Sequence, residues 1–183
     1  MRLKRITDFL SKDFEEAWEI CQDSFPRDER RSLWNQKSLS DRTEYSFSAI
    51  IQEKEIIGFM DDWHLEGFSF MEHLALKKGW RNLGIGSKII REYARKHKKV
   101  IFEAERPVID LPSEWKMRLY KKLGFFENGY NYIQPPYEED KKHVTLVLMS
   151  YPHPIVEYSK VLKEIHSKVY GFERPFSGIR REE

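Results

Sequence analysis

The sequence is short of the features that assign a protein quickly. Its 183 residues include one cysteine, Cys21, which excludes an intramolecular disulfide and any zinc site built on several thiolates. Charge of one sign is not in excess. The 32 Lys and Arg against 30 Asp and Glu leave a formal charge of +2, which argues against a dedicated polyanion binder but permits a local basic patch. No apolar run could span a bilayer, and Met1 leads into charged residues rather than a hydrophobic signal segment. A cytoplasmic protein without membrane contact is expected. Internal repeats and low-complexity linkers are also missing. What is present, 40% apolar and 34% charged residues, suits a single soluble domain. That domain is expected over residues 1–150. An amphipathic helix and tail at 151–183 should pack on it or on a partner subunit, as in a homodimer.

The hydrophobic period changes along the chain in a way that predicts a mixed α/β (α+β) fold. Leu3–Thr7 reads as a strand. Phe14, Ala17, Trp18 and Cys21 line a helical face that starts at a cap, Ser11 or Asp13, and ends at Pro26. Asp28–Leu39 reads as a second short helix. Tyr45–Gln52, Glu55–Trp63 and Phe68–Lys77 have connections too short for parallel crossovers and so form an antiparallel meander, with a tight turn at Glu53-Lys54. Ile85–His97 is a helix with an apolar stripe of Ile85, Ile89, Ile90, Tyr93 and Ala94. Val100–Ala104 follows as a short buried strand, then a helix at Glu114–Leu123 with Gly124 as its left-handed cap. Strands at Phe125–Ile133 and His143–Met149 come next. A last helix carries Ile155, Tyr158, Leu162, Ile165 and Val169 at steps of three and four, and a loose tail is expected from Phe172.

The most informative segment is the loop between the third meander strand and the basic helix. Gly84 leaves the backbone open to a ligand, and Gly86 lets the first helical turn approach it. Unpaired N–H groups of Leu83, Gly84, Ile85, Gly86 and Ser87 can converge on phosphate oxygens, with Arg81 and Lys88 adding positive charge. Gly-x-Gly alone also fits an ordinary tight turn. It lacks the third glycine of a dinucleotide fingerprint and the spacing of a nucleotide-triphosphate loop. The basic residues Arg81, Lys88, Arg91, Arg95 and Lys96 could equally be solvated or touch nucleic acid.

Two motifs in order resolve these alternatives. Arg81-x-x-Gly84-x-Gly86, after the strand Met71-Glu-His-Leu-Ala-Leu76, resembles the acyl-coenzyme-A pyrophosphate motif of the GNAT superfamily of acetyltransferases. Tyr120-Lys-Lys-Leu-Gly-Phe125 resembles that family's downstream segment of tyrosine, three residues, then Gly-Phe. The resemblance implies a seven-stranded mixed sheet, splayed open between Phe68–Lys77 and Val100–Glu105. It further implies acetyl-coenzyme A as cosubstrate, with no metal. The pantetheine would pair with backbone at Leu74, Ala75 and Leu76, and the pyrophosphate would lie on Leu83 to Ser87, flanked by Arg81 and Asn82. Many members carry asparagine seven residues before the tyrosine. Ser113 stands there and can cap the helix or bind coenzyme.

Family members transfer the acyl group by direct attack of an amine, so Cys21 needs no catalytic role and reads as a buried small hydrophobe. The resemblance makes Tyr120 the general acid for the departing thiolate, a role that a phenol protonated at neutral pH can fill. Glu72 is the candidate base. The two-residue period puts Phe68, Phe70, Glu72, Leu74 and Leu76 on one face and His73 on the other, where adjacent side chains diverge and form no dyad. A salt-bridged glutamate is the competing reading. Phe25, Arg27, Glu29, Arg30, Trp34, Trp63, Tyr130, Tyr132 and Tyr137 are candidates for the acceptor wall, and Glu138-Glu139-Asp140 could steer a cationic amine. The expected activity is N-acetylation of a primary amine, on a small molecule or a peptide. A noncatalytic acyl-coenzyme-A-binding module is the alternative, and a nucleic-acid binder is disfavoured by the balanced charge.

Overall fold

The computed structural model describes residues 1–109 and 111–173; the expected tail from 174 onward lies outside the described residues. Seven strands form one sheet in the order β1-β2-β3-β4-β5-β7-β6. They are β1 Arg2–Ile6, β2 Tyr45–Gln52, β3 Glu55–Leu65, β4 Phe68–Leu76, β5 Val100–Glu105, β6 Phe126–Gln134 and β7 Val144–Tyr151. The β4–β5 pair is parallel and every other pair antiparallel. The Glu53-Lys54 turn takes positive φ at both residues, 48° and 74°, the geometry whose twist suits a two-residue hairpin.

Five helices cover the two faces: α1 Lys12–Ser24, α2 Leu33–Lys37, α3 Ile85–His97, α4 Pro112–Lys122 and α5 Tyr158–Lys168. Ser11 caps α1 by accepting from the Phe14 N–H at 3.3 Å, a contact worth about 1 kcal/mol. Phe14, Ala17, Trp18 and Cys21 of α1 join Leu162 and Ile165 of α5 in a core with Phe59, Trp63 and Phe70. On the other face, Ile89, Ile90, Tyr93 and Ala94 of α3 and Met117 of α4 pack on Met60, Met71, Phe102 and Met149. Burial pushes the Cys21 thiol well above its ordinary range, so it stays a protonated core group.

One helix predicted from sequence is broken. Over 28–39 the chain instead makes a single 3-10 turn at Arg27–Glu29, an extended run, and the five-residue α2. Ser32 caps α2 through Asn35, and its own N–H donates to Glu138 at 2.7 Å. Extension at Arg30 and Ser32 lets the Arg31 side chain reach under the sheet, where it is 5% exposed.

Two irregularities in β4 shape the centre of the sheet. Its pairing to β5 covers only Ser69, Phe70 and Met71. Beyond these residues the parallel strands part, each still held by its outer neighbour. At the same point β4 carries an extra residue: Asp61 faces His73 and Asp62 faces Met71, which leaves Glu72 as a bulge. A bulge shifts the side-chain alternation by one. Phe70 therefore belongs to the α1 face, while Leu74 and Leu76 belong to the α3 face. This corrects the single face expected for Phe68, Phe70, Glu72, Leu74 and Leu76. It also corrects the expected divergence of Glu72 and His73, which contact the same layer.

Candidate active site

A cavity of about 600 Å³ opens where β4 and β5 part. Along one wall run Leu74, Ala75 and Leu76, unpaired by β5. Lys77 donates to Ile57 of β3, and backbone groups alternate in direction along a strand, so the amides of Leu74 and Leu76 face the opening. Ala75 points its carbonyl at Gly58. The Leu76 carbonyl already accepts from Arg81 Nε at 2.8 Å, and the same guanidinium donates to Ser24 at 3.0 Å. Arg81 thus straps the end of β4 to α1.

The cavity's far end reaches Asn82, Gly84, Gly86 and Ser87. Asn82 and Gly84 both have positive φ, 63° and 77°, and Gly84 caps α3 without a side-chain bond. Ile85, Gly86 and Ser87 form the first turn, whose N–H groups have no preceding turn to bond. A Cβ added at Gly86 would meet nothing within 4 Å. This bare, positively polarised turn beside an unpaired strand edge fits the phosphates and amides of coenzyme A. Leu83 is 64% exposed, and neither its side chain nor that of Ile85 lines the cavity.

Gly86→Ala separates binding from folding. Gly86 has no positive φ and an added Cβ meets nothing within 4 Å, so alanine, which leaves the unfolded chain less freedom than glycine, should hold or slightly raise thermal stability. The new methyl group would occupy the space beside the N–H groups, and acetyl-coenzyme A affinity measured by calorimetry should fall roughly tenfold, about 1.4 kcal/mol.

Tyr120 lines the middle of the cavity with Trp115, Lys116 and Leu119 of the same helix. Its ring packs edge-on against Phe102 at 4.8 Å. Burial and then the Glu105 charge push the phenol up to about 12, so it carries its proton throughout the neutral range. Ser113 is not at the cavity. Helix α4 begins one residue before it with Pro112, and no side chain caps the helix. The Ser113 hydroxyl instead accepts from the Val108 N–H at 3.1 Å, closing the loop ahead of the helix. This corrects the expected helix-capping role.

The remaining wall holds two buried charge networks. Glu72 has no exposed side-chain surface and takes three donors: Arg31 at 2.7 Å, Trp63 Nε1 at 2.7 Å and the Tyr137 hydroxyl at 2.6 Å. Arg31 also donates to the Val169 carbonyl at 2.8 Å and lies over the rings of Trp63 and Tyr137. This is the salt-bridged form of Glu72. Beside it, His73 Nδ1 meets both oxygens of Asp61 at 3.1 and 3.2 Å, and Nε2 meets the Glu29 carbonyl at 2.8 Å. A carbonyl only accepts, so both ring nitrogens donate and the imidazole is charged. Burial alone would lower the His73 pKa. The Asp61 charge and hydrogen bond, helped by Glu72 and the Glu29 carbonyl, outweigh burial and lift it to about 9. Ligand-type atoms of Asp61, Glu72 and His73 lie within 4.8 Å of one another, but His73 has no lone pair to offer in this arrangement.

Because the folded pKa of His73 lies above the unfolded value of about 6.5, its stabilisation is complete below pH 6.5 and is lost as pH rises through about 9. Urea titrations should therefore show stability declining over that interval by something on the order of 3 kcal/mol. A flat profile would mean that His73 is not held charged.

Of the proposed acceptor wall, Phe25 and Glu29 line the cavity. Trp63, Tyr132 and Tyr137 stand behind it as partners of buried carboxylates. Trp34 is 82% exposed, Arg27 pairs with Asp140, and Tyr130 stacks on Tyr158. Glu138 is engaged by Ser32, Asn35 and Lys141, which hold its carboxyl down at about 2. Sequence reasoning passed over Glu103, which lines the cavity from β5. Burial raises its carboxyl to about 7, against the lowering influence of hydrogen bonds from Tyr132 and Tyr170. The signal was available: a carboxylate in the middle of a strand otherwise read as buried.

A parallel pair parted over a cavity, with a glycine-opened helix N-terminus at one end, is the arrangement expected of the acetyltransferase fold. Comparison with known proteins agrees. Residues 43–127 match the acetyltransferase (GNAT) domain family. A protein assigned to the GNAT acetyltransferases of Bacteroides thetaiotaomicron aligns over 94% of this chain and 99% of its own, with a TM-score of 0.86 and 27% identity. The ribosomal-protein-S18-alanine N-acetyltransferase of Escherichia coli has a TM-score of 0.59 at 15% identity, covering 85% of this chain and 95% of that one. A GNAT acetyltransferase of Elizabethkingia anophelis with acetyl-coenzyme A bound has a TM-score of 0.53 at 17% identity, covering 81% and 95%. No curated protein sequence matches significantly. The fold is that of the GNAT acetyltransferases, and residues 43–127 carry the sequence match to that domain family. No helix among the described residues is long and apolar enough to cross a membrane.

Proposed function

We propose that the protein transfers the acetyl group of acetyl-coenzyme A to a primary amine by direct attack. The observation that carries this reading is the continuous cavity, which runs from the α3 N-terminus past Tyr120 to the polar wall of Glu29, His73 and Glu103. The coenzyme's pyrophosphate would lie on the N–H groups of Ile85, Gly86 and Ser87, and its amides along Leu74 and Leu76. This places the thioester sulfur near Tyr120. The acceptor enters from the side of Phe25 and Glu29. Its nitrogen attacks the carbonyl carbon, the C–S bond breaks, and the Tyr120 hydroxyl donates its proton to the leaving thiolate. Glu72, neutralised by Arg31, anchors the floor of the acceptor end and keeps His73 and Tyr137 in place.

The test is an amine panel assayed for thiol release from acetyl-coenzyme A, with products identified by mass. Acetylated product with stoichiometric thiol supports the reading. Tight coenzyme binding with no transfer to any amine would replace it with a binding module.

A further inference from the structure

Among the carboxylates of the acceptor wall, two make no ion pair among the described residues, Glu29 and Glu103. Glu72 is paired with Arg31, and His73 is already protonated against Asp61. Glu105 is exposed and reaches Lys116 at 3.3 Å. Glu29 sits half-buried on its 3-10 turn at the mouth. Glu103 is half-buried in the parting of the strands, and the hydrogen-bond partners of its carboxylate among the described residues are two phenols. Tyr132 of β6 donates to Oε1, and Tyr170 donates to both oxygens at 2.8 Å.

Tyr170 does not come from the sheet. It follows α5, beyond the segment that matches the GNAT domain family. Its ring packs on Tyr137 at 4.9 Å, and the preceding residue, Val169, gives its carbonyl to Arg31. One turn of C-terminal chain thus holds Glu103 directly and reaches Glu72 through Arg31 and Tyr137.

We infer that Glu103 receives the proton shed by the acceptor amine, and that Tyr170, carried in by the C-terminal helix, is the positioning residue that holds Glu103 ready to do so. The inference rests on the acetyl-transfer reading. As the N–C bond forms and the C–S bond breaks, the nitrogen's proton passes to Glu103 and the Tyr120 proton passes to sulfur. Solvent then removes the first and replaces the second, so atoms and charge balance. Phenols suit this task better than a cation would: they orient the carboxylate without binding its charge so firmly that it cannot be protonated. The charged or titratable groups facing Glu103 are Glu72 and His73 from β4, Tyr132 from β6, and Tyr137 and Tyr170. The carboxyl near 7 is matched to proton transfer at neutral pH.

The experiment is the pH profile of kcat/KM for an amine found in the panel, with coenzyme affinity and thermal stability measured alongside. Glu103→Gln should lower kcat/KM about 10²-fold with acetyl-coenzyme A affinity retained. Tyr170→Phe removes a hydrogen bond to the charged carboxylate and should move the acidic limb upward by about half a unit or more. A role in packing alone would lower stability without moving the limb. Full turnover in Glu103→Gln, or an unmoved limb in a folded Tyr170→Phe protein, overturns the inference while leaving acetyl transfer standing. Titration of the Glu103 side-chain carboxyl by carbon NMR reads the same group without turnover. A midpoint near 7 that rises in Tyr170→Phe supports the inference, and a midpoint in the ordinary carboxylate range in either protein overturns it.

Discussion

Arg31→Met is expected to destabilise the protein by about 3–5 kcal/mol, the cost of leaving a buried carboxylate without its cation. Glu72 would keep the donors Trp63 and Tyr137, but neither supplies positive charge. Methionine of similar length fills the space between the rings of Trp63 and Tyr137, so lost packing contributes little. The diagnostic is the double variant. Arg31→Met with Glu72→Gln removes both charges, and its urea midpoint should lie well above that of Arg31→Met alone. Additive losses would show that the two side chains are not coupled. Because Arg31 also holds the Val169 carbonyl, Arg31→Met should speed hydrogen exchange at the end of α5 before it affects α3.

Tyr120→Phe is expected to lower kcat by about 10²-fold or more, within the range of general-acid contributions, with little change in acetyl-coenzyme A affinity. The ring contact with Phe102 survives the substitution, so thermal stability should hold. The parent enzyme should show no alkaline loss of activity from this group until pH approaches 12. Acyl donors that are thioesters of more acidic thiols give a second check: their better leaving groups need less proton donation, so the variant's deficit should shrink with them. An undiminished kcat for Tyr120→Phe would remove the acid role.

The parts of the site readable in the sequence are those built from neighbours in the chain. Gly84 and Gly86 act through backbone freedom and the absence of a side chain, and α3 begins and ends where its apolar stripe and its glycine place it. Tyr120 is legible through its distance to Gly124-Phe125. The floor of the acceptor pocket is different. Arg31 reads as part of a short helix because the segment's local pattern contains no record of Glu72, 41 residues away. Glu72 and His73 read as opposed because two-residue alternation is a property of an unbroken ladder, and the bulge arises from the match of β4 to β3. Glu103 goes unnoticed because its two phenols come from β6 and from the end of the chain.

The sequence alone determined the order and extent of most elements and the glycine turn ahead of α3, since each follows from torsional preference and hydrophobic period over a few residues, while Tyr120 stood out only through the family resemblance. Only the tertiary structure decided which carboxylate is neutralised by a cation, which is held by phenols, and that histidine stands charged beside them. The reason is electrostatic: the proton affinity of a buried group depends on the charges and donors that folding brings within a few ångströms, and here those come from distant parts of the chain.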